Sequence, residues 1–287
     1  MDGVLECVAN VSEGRRADVL RALAASCGDA LLDVHADADH HRSVFTLAGP
    51  GQSVALEAAL RLAQAVDKLV DLSRQTGVHP RLGALDVVPF VALESLERAG
   101  ALAAALTFAE AVAHGHGVPV FLYDGADPDG RTLPSVRKEA FVSRAPDFGP
   151  TTPHPRLGAV CVSCRPPMVA INCELAGDDL RVASAVAGAV RHRDGGLPGV
   201  RALAFPLPSR GRIQVSMNLV DLPVTGVEAA LTEVRAQARR RGSDVVAVEL
   251  VGLLPAAELA RCSPGFLSWA GLDTDDTIEA RIQAASS

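Results

Sequence analysis

One histidine lies on a turn that the sequence makes rigid. The segment Thr76-Gly77-Val78-His79-Pro80-Arg81-Leu82-Gly83 follows a long helical pattern. Gly77 can end that helix and Pro80 prevents it from resuming, while a residue that precedes a proline is confined to extended backbone. The spacing therefore displays His79 on a stiff turn, and an imidazole with its ordinary pKa near about 6.5 suits a general base at neutral pH. A catalytic and a structural role both remain open from the spacing alone.

Two charged residues follow His79 closely. They are Arg81 and Asp86, and Asp86 interrupts the apolar run Ala84-Leu85-Asp86-Val87-Val88. A carboxylate in that position either orients the His79 imidazole or is a buried group with hydrogen bonds of its own.

A polar loop concentrates side chains that bind metals or substrates. His35-Ala36-Asp37-Ala38-Asp39-His40-His41-Arg42 holds three histidines and two aspartates, and these side chains suit Zn²⁺ or Mn²⁺. The loop has no H-E-x-x-H pair, and no second cluster is evident in the sequence. Metal binding, substrate contact and a plain connecting loop remain open, and we predict that no metal is bound.

Cys161 and Cys164 form a C-x-x-C pair. Zinc and redox sites place this spacing on a turn or at a helix N-terminus. Here it lies in a predicted strand, where positions three apart point to opposite faces, so we expect both thiols to pack in the core.

Composition and charge exclude several functions. The chain of 287 residues has 27 Lys and Arg against 34 Asp and Glu, with a net charge of −7, and only 8 Phe, 1 Tyr and 1 Trp. It lacks the positive field and the aromatic platform of a nucleic-acid binder. No apolar run reaches the roughly 18 residues of a membrane span, and the acidic N-terminus lacks the basic region of a signal peptide. We therefore predict a cytoplasmic protein with no nucleic-acid or membrane partner.

The hydrophobic pattern predicts an α+β protein with two successive βαββαβ units, each a ferredoxin-like sandwich. Strands are predicted over 4–12, 30–35, 43–48, 82–93, 118–123, 158–164, 169–175, 200–207, 212–220 and 245–251. Helices are predicted over 15–27, up to about 75, 94–116, 178–191 and 224–241, with a short one near 133–141. The strands over 158–164 and 169–175 are expected to form a hairpin. Because periodicity fails from Asp124 to Pro155, we predict subdomains over 1–150 and 151–262 and a tail over 263–287.

The chain resembles the formiminotransferase family, the glutamate formimidoyltransferases of histidine catabolism. Matching segments occur in the family's order along nearly the whole chain: 6–14, 37–44, 77–90, 131–134, 145–150, 214–219 and 249–255. The resemblance implies transfer of the formimino group of N-formimino-L-glutamate to N5 of tetrahydrofolate, a co-substrate in one-carbon metabolism. It also implies a homodimer and a folate cleft between the two subdomains.

The resemblance assigns roles to particular residues. His79 matches the family's catalytic histidine, and it would take a proton from the attacking amine and give it to the departing one. The folate-binding stretch matches Gly149, Pro150, Thr151, Thr152, Pro153, His154, Pro155, Arg156, Leu157 and Gly158. Substrate contacts are expected from Asn10, Asp39, Arg42 and Arg81, with Arg42, Arg81, Arg131 and Arg156 as possible carboxylate clamps.

Two departures from the family pattern bear on the ligands. Leu157 replaces a Trp of animal members, and Glu174 replaces the Asn usual in relatives. The sequence leaves the exact donor open, with formiminoglycine as an alternative. A non-catalytic folate-binding or scaffold protein and, third, a metal-dependent hydrolase are rival interpretations.

Overall fold

The computed structural model describes residues 3–93 and 98–285. The chain divides into two compact units, unit 1 over Met1–Pro166 and unit 2 over Pro167–Ser287. The sequence placed this division after residue 150. It falls later because the strand over Val160–Cys164 belongs to the sheet of unit 1.

Unit 1 is built on a six-stranded sheet. Its strands are β1 (Val4–Val11), β2 (Leu31–Asp37), β3 (Arg42–Pro50), β4 (Leu85–Leu93), β5 (Val120–Asp124) and β6 (Val160–Cys164). Their order across the sheet is β2-β3-β1-β4-β6-β5. The pairs among β1 to β4 are antiparallel, whereas β6 runs parallel to both β4 and β5. All five residues of β6 are buried, as expected for an interior parallel strand.

Among the described residues of unit 1, four α-helices cover the sheet. They are α1 (Ala17–Cys27), α2 (Ser53–Leu69), α3 (Arg98–His116) and α4 (Leu133–Glu139). The predicted helix over 94–116 is thus present from Arg98 onward, and its first four positions lie outside the described residues. Helices α1 to α3 share one apolar core with β1, β3 and β4.

Helix α4 lies on the other face of the sheet. Its Val136 packs with Val87, Phe121 and Cys161 in a separate apolar cluster. The strand neighbours Val88, Val120, Leu122, Val160 and Val162 belong to the main core. Because successive strand residues point to opposite faces, α4 is opposite α1 to α3. Cys164 lies in the main core, which confirms that the two cysteines of the C-x-x-C pair face opposite ways.

Unit 2 has a four-stranded antiparallel sheet. Its strands are β7 (Val169–Leu175), β8 (Val200–Leu207), β9 (Arg212–Leu219) and β10 (Val245–Val251), in the order β10-β7-β9-β8. Helices α5 (Leu180–Val190) and α6 (Val227–Arg239) supply its core, and α7 (Ala256–Leu259), α8 (Pro264–Ala270) and α9 (Ile278–Ala285) follow. Phe266, Ala270 and Leu272 join the same core.

The hairpin expected from 158–164 and 169–175 is wrong. Strand β6 pairs only with strands of unit 1 and β7 only with strands of unit 2, so the Pro166-Pro167 pair links two sheets. The element order βαββαβ occurs from β1 to β4 and again from β7 to β10. Unit 1 then adds β5 and β6, which makes its sheet six-stranded. No helix within 3–93 and 98–285 is long and apolar enough to span a membrane.

Candidate active site

Asp86 is the centre of a buried ionic cluster in unit 1. Its carboxylate is fully buried. The Oδ1 atom accepts hydrogen bonds from the backbone N–H groups of Leu82 (2.6 Å) and Gly83 (3.3 Å). The Oδ2 atom accepts from Arg42 Nη1 at 2.7 Å and from Arg137 Nη2 at 2.5 Å. Burial alone raises the pKa of a carboxyl group, but the two guanidinium groups and the backbone donors outweigh it and lower the pKa of Asp86 to about 2.

Two adjacent strands place Arg42 and Asn10 together. Arg42 opens β3, and Asn10 lies near the end of β1, where it pairs with Val44. Residues two apart on a strand share a face, so the side chains of Arg42 and Asn10 meet. Asn10 Oδ1 accepts from Nη2 (2.9 Å) and Nε (3.2 Å) of Arg42. Asn10 and Asp86 thus use three of the five guanidinium N–H groups, and the other two have no partner within residues 3–93 and 98–285.

Arg137 is a member of the Asp86 cluster that sequence reasoning missed. It comes from the last turn of α4, fifty-one positions from Asp86. Its Nε is buried and has no hydrogen-bond partner among the described residues. No motif in the sequence links α4 to β4, and the only available signal was a basic residue on a short helix. The second guanidinium and its spare N–H make this cluster a site for an anionic group.

His79 lies half-buried on the turn after α2. Its Nδ1 is 2.7 Å from the carbonyl oxygen of Pro80, which can only accept, so Nδ1 carries the proton. Burial and the positive charges of Arg42 and Arg137 lower the pKa of His79 to about 2. The ring is therefore neutral at pH 7, and the lone pair is on Nε2, the atom that a general base uses.

Arg81 holds the His79 turn against the polar loop. Its Nη2 donates to the carbonyl of His40 (2.7 Å), its Nη1 to that of His41 (3.1 Å) and its Nε to that of His79 (3.3 Å). A Cβ on Gly77 would collide with the His40 carbonyl and the Arg81 guanidinium, so this close approach requires glycine. Arg81 is thus occupied by backbone carbonyls, and its geometry supports a positioning role.

The polar loop forms the wall next to His79. The Asp39 carbonyl accepts from Val78 N–H at 3.3 Å, and the ring of His40 is 5.9 Å from that of His79. His41 adopts the left-handed conformation, with φ 49°. Its Nδ1 lies 3.0 Å from the Thr76 carbonyl. The part of the loop from Asp39 to His41 therefore contacts the His79 turn.

The polar loop is also a candidate metal site from its sequence. No group of three or more His, Cys, Asp or Glu side chains in the described part of the chain has the arrangement of a metal site. Asp37 Oδ1 instead accepts the His40 backbone N–H at 2.7 Å, which caps the turn.

The stretch predicted to bind folate adjoins the His79 turn. Gly158 has φ 71°, and a Cβ there would collide with the Leu82 carbonyl. Ala84 N–H donates to the Leu157 carbonyl at 2.9 Å, and Ala159 N–H donates to the Leu82 carbonyl at 3.0 Å. These contacts bring the end of the stretch against the backbone that holds Asp86.

Two models of the same protein family together match almost the whole chain. The model of the formiminotransferase domain, N-terminal subdomain, matches residues 4–165, and the model of the formiminotransferase domain matches residues 171–282. The chain belongs to the formiminotransferase family. The boundary between the two family matches also agrees with the division between units 1 and 2.

Three relatives show how far the likeness extends. A glutamate formimidoyltransferase of Streptococcus pyogenes is 35% identical over 90% of this chain and 91% of its own. One of Thermoplasma acidophilum is 33% identical over 99% and 98%. The formimidoyltransferase-cyclodeaminase of Sus scrofa is 36% identical over 90% of this chain, which spans 51% of that protein.

Leu157 and Glu174, the two residues that depart from the formiminotransferase pattern, each contact other residues of their own unit. Leu157 is buried in the main core of unit 1, so its side chain packs against apolar neighbours. Glu174, in unit 2, forms an ion pair with Arg210 and lies 3.9 Å from Arg212. Its negative charge is therefore balanced within its own sheet.

Arg131 and Arg156, the other two arginines proposed to bind substrate carboxylates, form ion pairs with aspartates of this chain. Arg131 pairs with Asp127 and Asp129. Arg156 donates to Asp67 at 2.5 Å and to the Val70 carbonyl at 3.0 Å. Of the four arginines that the sequence proposed, Arg42 is the one that the structure places in the Asp86 cluster.

Proposed function

We propose that this chain transfers the formimino group of N-formimino-L-glutamate to N5 of tetrahydrofolate and releases L-glutamate. The observation that carries the proposal is a neutral His79 imidazole beside the Arg42–Asp86–Arg137 cluster, in a chain that belongs to the formiminotransferase family. The two relatives named glutamate formimidoyltransferase align with almost their whole length.

The reaction needs one proton to move between two nitrogens. N5 of tetrahydrofolate attacks the formimino carbon, and a tetrahedral intermediate forms. The bond from that carbon to the glutamate nitrogen then breaks. The proton lost by N5 goes to Nε2 of His79 and from there to the departing nitrogen, so atoms and charge balance.

The donor's carboxylates fit the cationic side of the site. The two N–H groups left on Arg42 and the unpartnered Nε of Arg137 are donors that can bind a carboxylate. Asn10 fixes the orientation of Arg42, and Asp86 keeps both guanidinium groups in place. These residues hold the donor next to His79, which makes the attack effectively intramolecular.

Binding of the donor also changes the pKa of His79. An imidazole with a pKa of about 2 is a weak proton acceptor. Burial is the largest cause of this low pKa, and the positive charges of Arg42 and Arg137 come next. A carboxylate bound to the two arginines offsets their contribution. His79 therefore becomes a better base when the donor is in place than in the free enzyme.

The folate stretch and the quaternary state complete the proposal. The residues from Gly149 to Gly158 are assigned to tetrahydrofolate from the family resemblance, and their contacts with the His79 turn support that assignment. A homodimer that takes part in histidine catabolism is expected on the same basis.

The test is a product assay on the purified chain. N-formimino-L-glutamate and tetrahydrofolate are added, 5-formiminotetrahydrofolate is followed by its ultraviolet spectrum, and L-glutamate is measured with a coupled dehydrogenase. We expect the two products in a one-to-one ratio. Formiminoglycine is run in parallel as the competing donor, and product from it alone would replace the donor in the proposal. Folate binding without turnover of either donor would identify a non-catalytic homologue.

A further inference from the structure

A cavity lined by several cationic residues lies in unit 1, beside the end of α2. Its volume is about 550 Å³, within the range of sites that hold small molecules. The residues that line it are Arg15, Arg16, His41, Lys68, Leu69, Val70, Asp71, Arg74, Gln75 and Arg156. They come from the turn before α1, the polar loop, the end of α2 with the segment that follows it, and the predicted folate stretch.

The charge of this cavity opposes that of the chain. Five of its lining residues are cationic and one, Asp71, is anionic, whereas the chain carries −7 overall. Two further carboxylates lie close: Glu13 pairs with Arg16, and Asp67 pairs with Arg156. Two positive charges still remain in excess when all three carboxylates are counted, so the local field favours an anion.

Several cationic groups have donors to spare. The Lys68 ammonium and the Arg74 guanidinium form no hydrogen bond or ion pair within residues 3–93 and 98–285. Of the Arg15 side-chain donors, Nε alone has a partner among the described residues, the Ala38 carbonyl at 2.8 Å. Guanidinium groups with unused N–H pairs match the geometry of carboxylate and phosphate oxygens.

An acceptor in the same cavity also lacks a partner. Gln75 Oε1 is buried and accepts no hydrogen bond from the described residues. A buried amide oxygen without a donor costs free energy, and an N–H or O–H group of a ligand would satisfy it. The cavity therefore combines spare cationic donors with one unsatisfied acceptor.

Two residues connect the cavity with the candidate active site. His41 lines the cavity, and its carbonyl accepts from Arg81, which also binds the His79 carbonyl. Arg156 lies in the stretch assigned to folate. A ligand in this cavity would thus contact the backbone network that holds His79.

We propose that this cavity binds a small polyanion, a molecule with at least two carboxylate or phosphate groups. This chemistry has two possible sources. One is the glutamyl end of the folate co-substrate, which rests on the proposed function. The other is a separate small anion, which does not.

The binding test uses inorganic pyrophosphate and tricarballylate as probes. Each is titrated calorimetrically into the full chain at low salt, without donor or folate, so that the result is independent of turnover. We expect a dissociation constant below about 1 mM for at least one probe. Arg74→Gln and Lys68→Gln should each weaken binding about 10-fold or more, the usual effect of losing a charge-assisted hydrogen bond.

A matched variant separates the cavity from general charge. Arg240→Gln removes the same charge from an exposed arginine of unit 2 and should leave probe binding unchanged. The Lys68 and Arg74 side chains make no hydrogen bond or ion pair with other described residues, and Arg240 has only an exposed ion pair with Glu233, which contributes little to stability. All three variants should therefore keep a melting temperature close to that of the wild type. Absence of probe binding, or equal weakening by Arg240→Gln, would overturn the proposal.

Competition identifies the source of the anion. The titration is repeated with saturating tetrahydrofolate. Displacement of the probe assigns the cavity to the glutamyl end of the co-substrate, whereas undiminished probe binding assigns it to a separate anion. Loss of enzymatic activity in a preparation that still binds the probe would count against the proposed function alone.

Discussion

The Asp86 carboxylate allows the sharpest prediction about the cluster, through Asp86→Asn. Asparagine keeps the shape, but it removes the charge that balances two buried guanidinium groups. One side-chain oxygen can still accept from Leu82 and Gly83, and the new NH₂ group would then face donors of Arg42 and Arg137. The substitution therefore leaves donors opposed to donors in a buried place.

The size of the effect follows from two independent quantities. The pKa of Asp86 is lowered from 3.8 to about 2, which at about 1.4 kcal/mol per unit makes the ionised form worth about 2 kcal/mol. Removal of one partner from a buried ion pair costs about 3–5 kcal/mol. We therefore expect Asp86→Asn to lower the free energy of unfolding of unit 1 by about 2–5 kcal/mol, or its melting temperature by roughly 5–20 °C.

The pH dependence supplies a second readout for this variant. Because the folded-state pKa lies below the unfolded value, the stabilisation is complete above about pH 4 and is lost as pH falls toward about 2. The wild type and Asp86→Asn should differ most at neutral pH and converge in acid. Thermal unfolding by circular dichroism measures both. Asp129→Asn, which alters a carboxylate 70% exposed in the same unit, should cost less than about 1 kcal/mol. Equal losses in the two variants would refute the assigned role of Asp86.

Two further predictions concern the backbone and the base. Arg137→Gln removes a positive charge that, after burial and Arg42, lowers the pKa of His79. Burial and Arg42 remain in the variant, so this pKa should rise above about 2 and stay below the ordinary 6.5. An NMR titration of the ring, extended into acid as far as the variant stays folded, would detect the rise, and Lys138→Gln, exposed on the same helix, should leave the ring unchanged. Gly158→Ala should destabilise unit 1 by several kcal/mol and reduce turnover, since its Cβ meets the Leu82 carbonyl. Gly130→Ala, at φ 65° with open space around it, should cost only about 1 kcal/mol, and equal melting temperatures of the two glycine variants would contradict the close approach.

Local patterns in the sequence predicted most strands and helices, but they did not predict which strands pair in every case. The alternation and helical periodicity located most strands and helices because each buries one face. Strand β6 is buried on both faces, so its short apolar run carries no sign of its partners. Its pairing with β4 and β5 depends on contacts far apart in the chain, and the adjacent hairpin was the wrong choice.

The candidate site was predictable where backbone chemistry dictates it. Gly77 and Pro80 frame a turn for His79, and Arg42 belongs to a segment that resembles the family. Arg137 was not predictable, since α4 reaches Asp86 only through the packing of α4 on the sheet. For Asp86, the sequence left two roles open: the residue either orients the His79 imidazole or is a buried carboxylate with hydrogen bonds of its own. Within the described residues, the Asp86 carboxylate accepts hydrogen bonds from two arginines and two backbone N–H groups. These contacts match the second role.

The most direct measurement on the central claim compares His79→Ala with the wild type in turnover, folate affinity and melting temperature. His114→Ala, an exposed histidine at the end of α3, serves as the matched control. If Nε2 of His79 moves the proton, kcat should fall by roughly 10²–10⁴-fold, while folate affinity and melting temperature change little. A folded His79→Ala protein with turnover close to that of His114→Ala would contradict the assignment of His79 as the acid–base group.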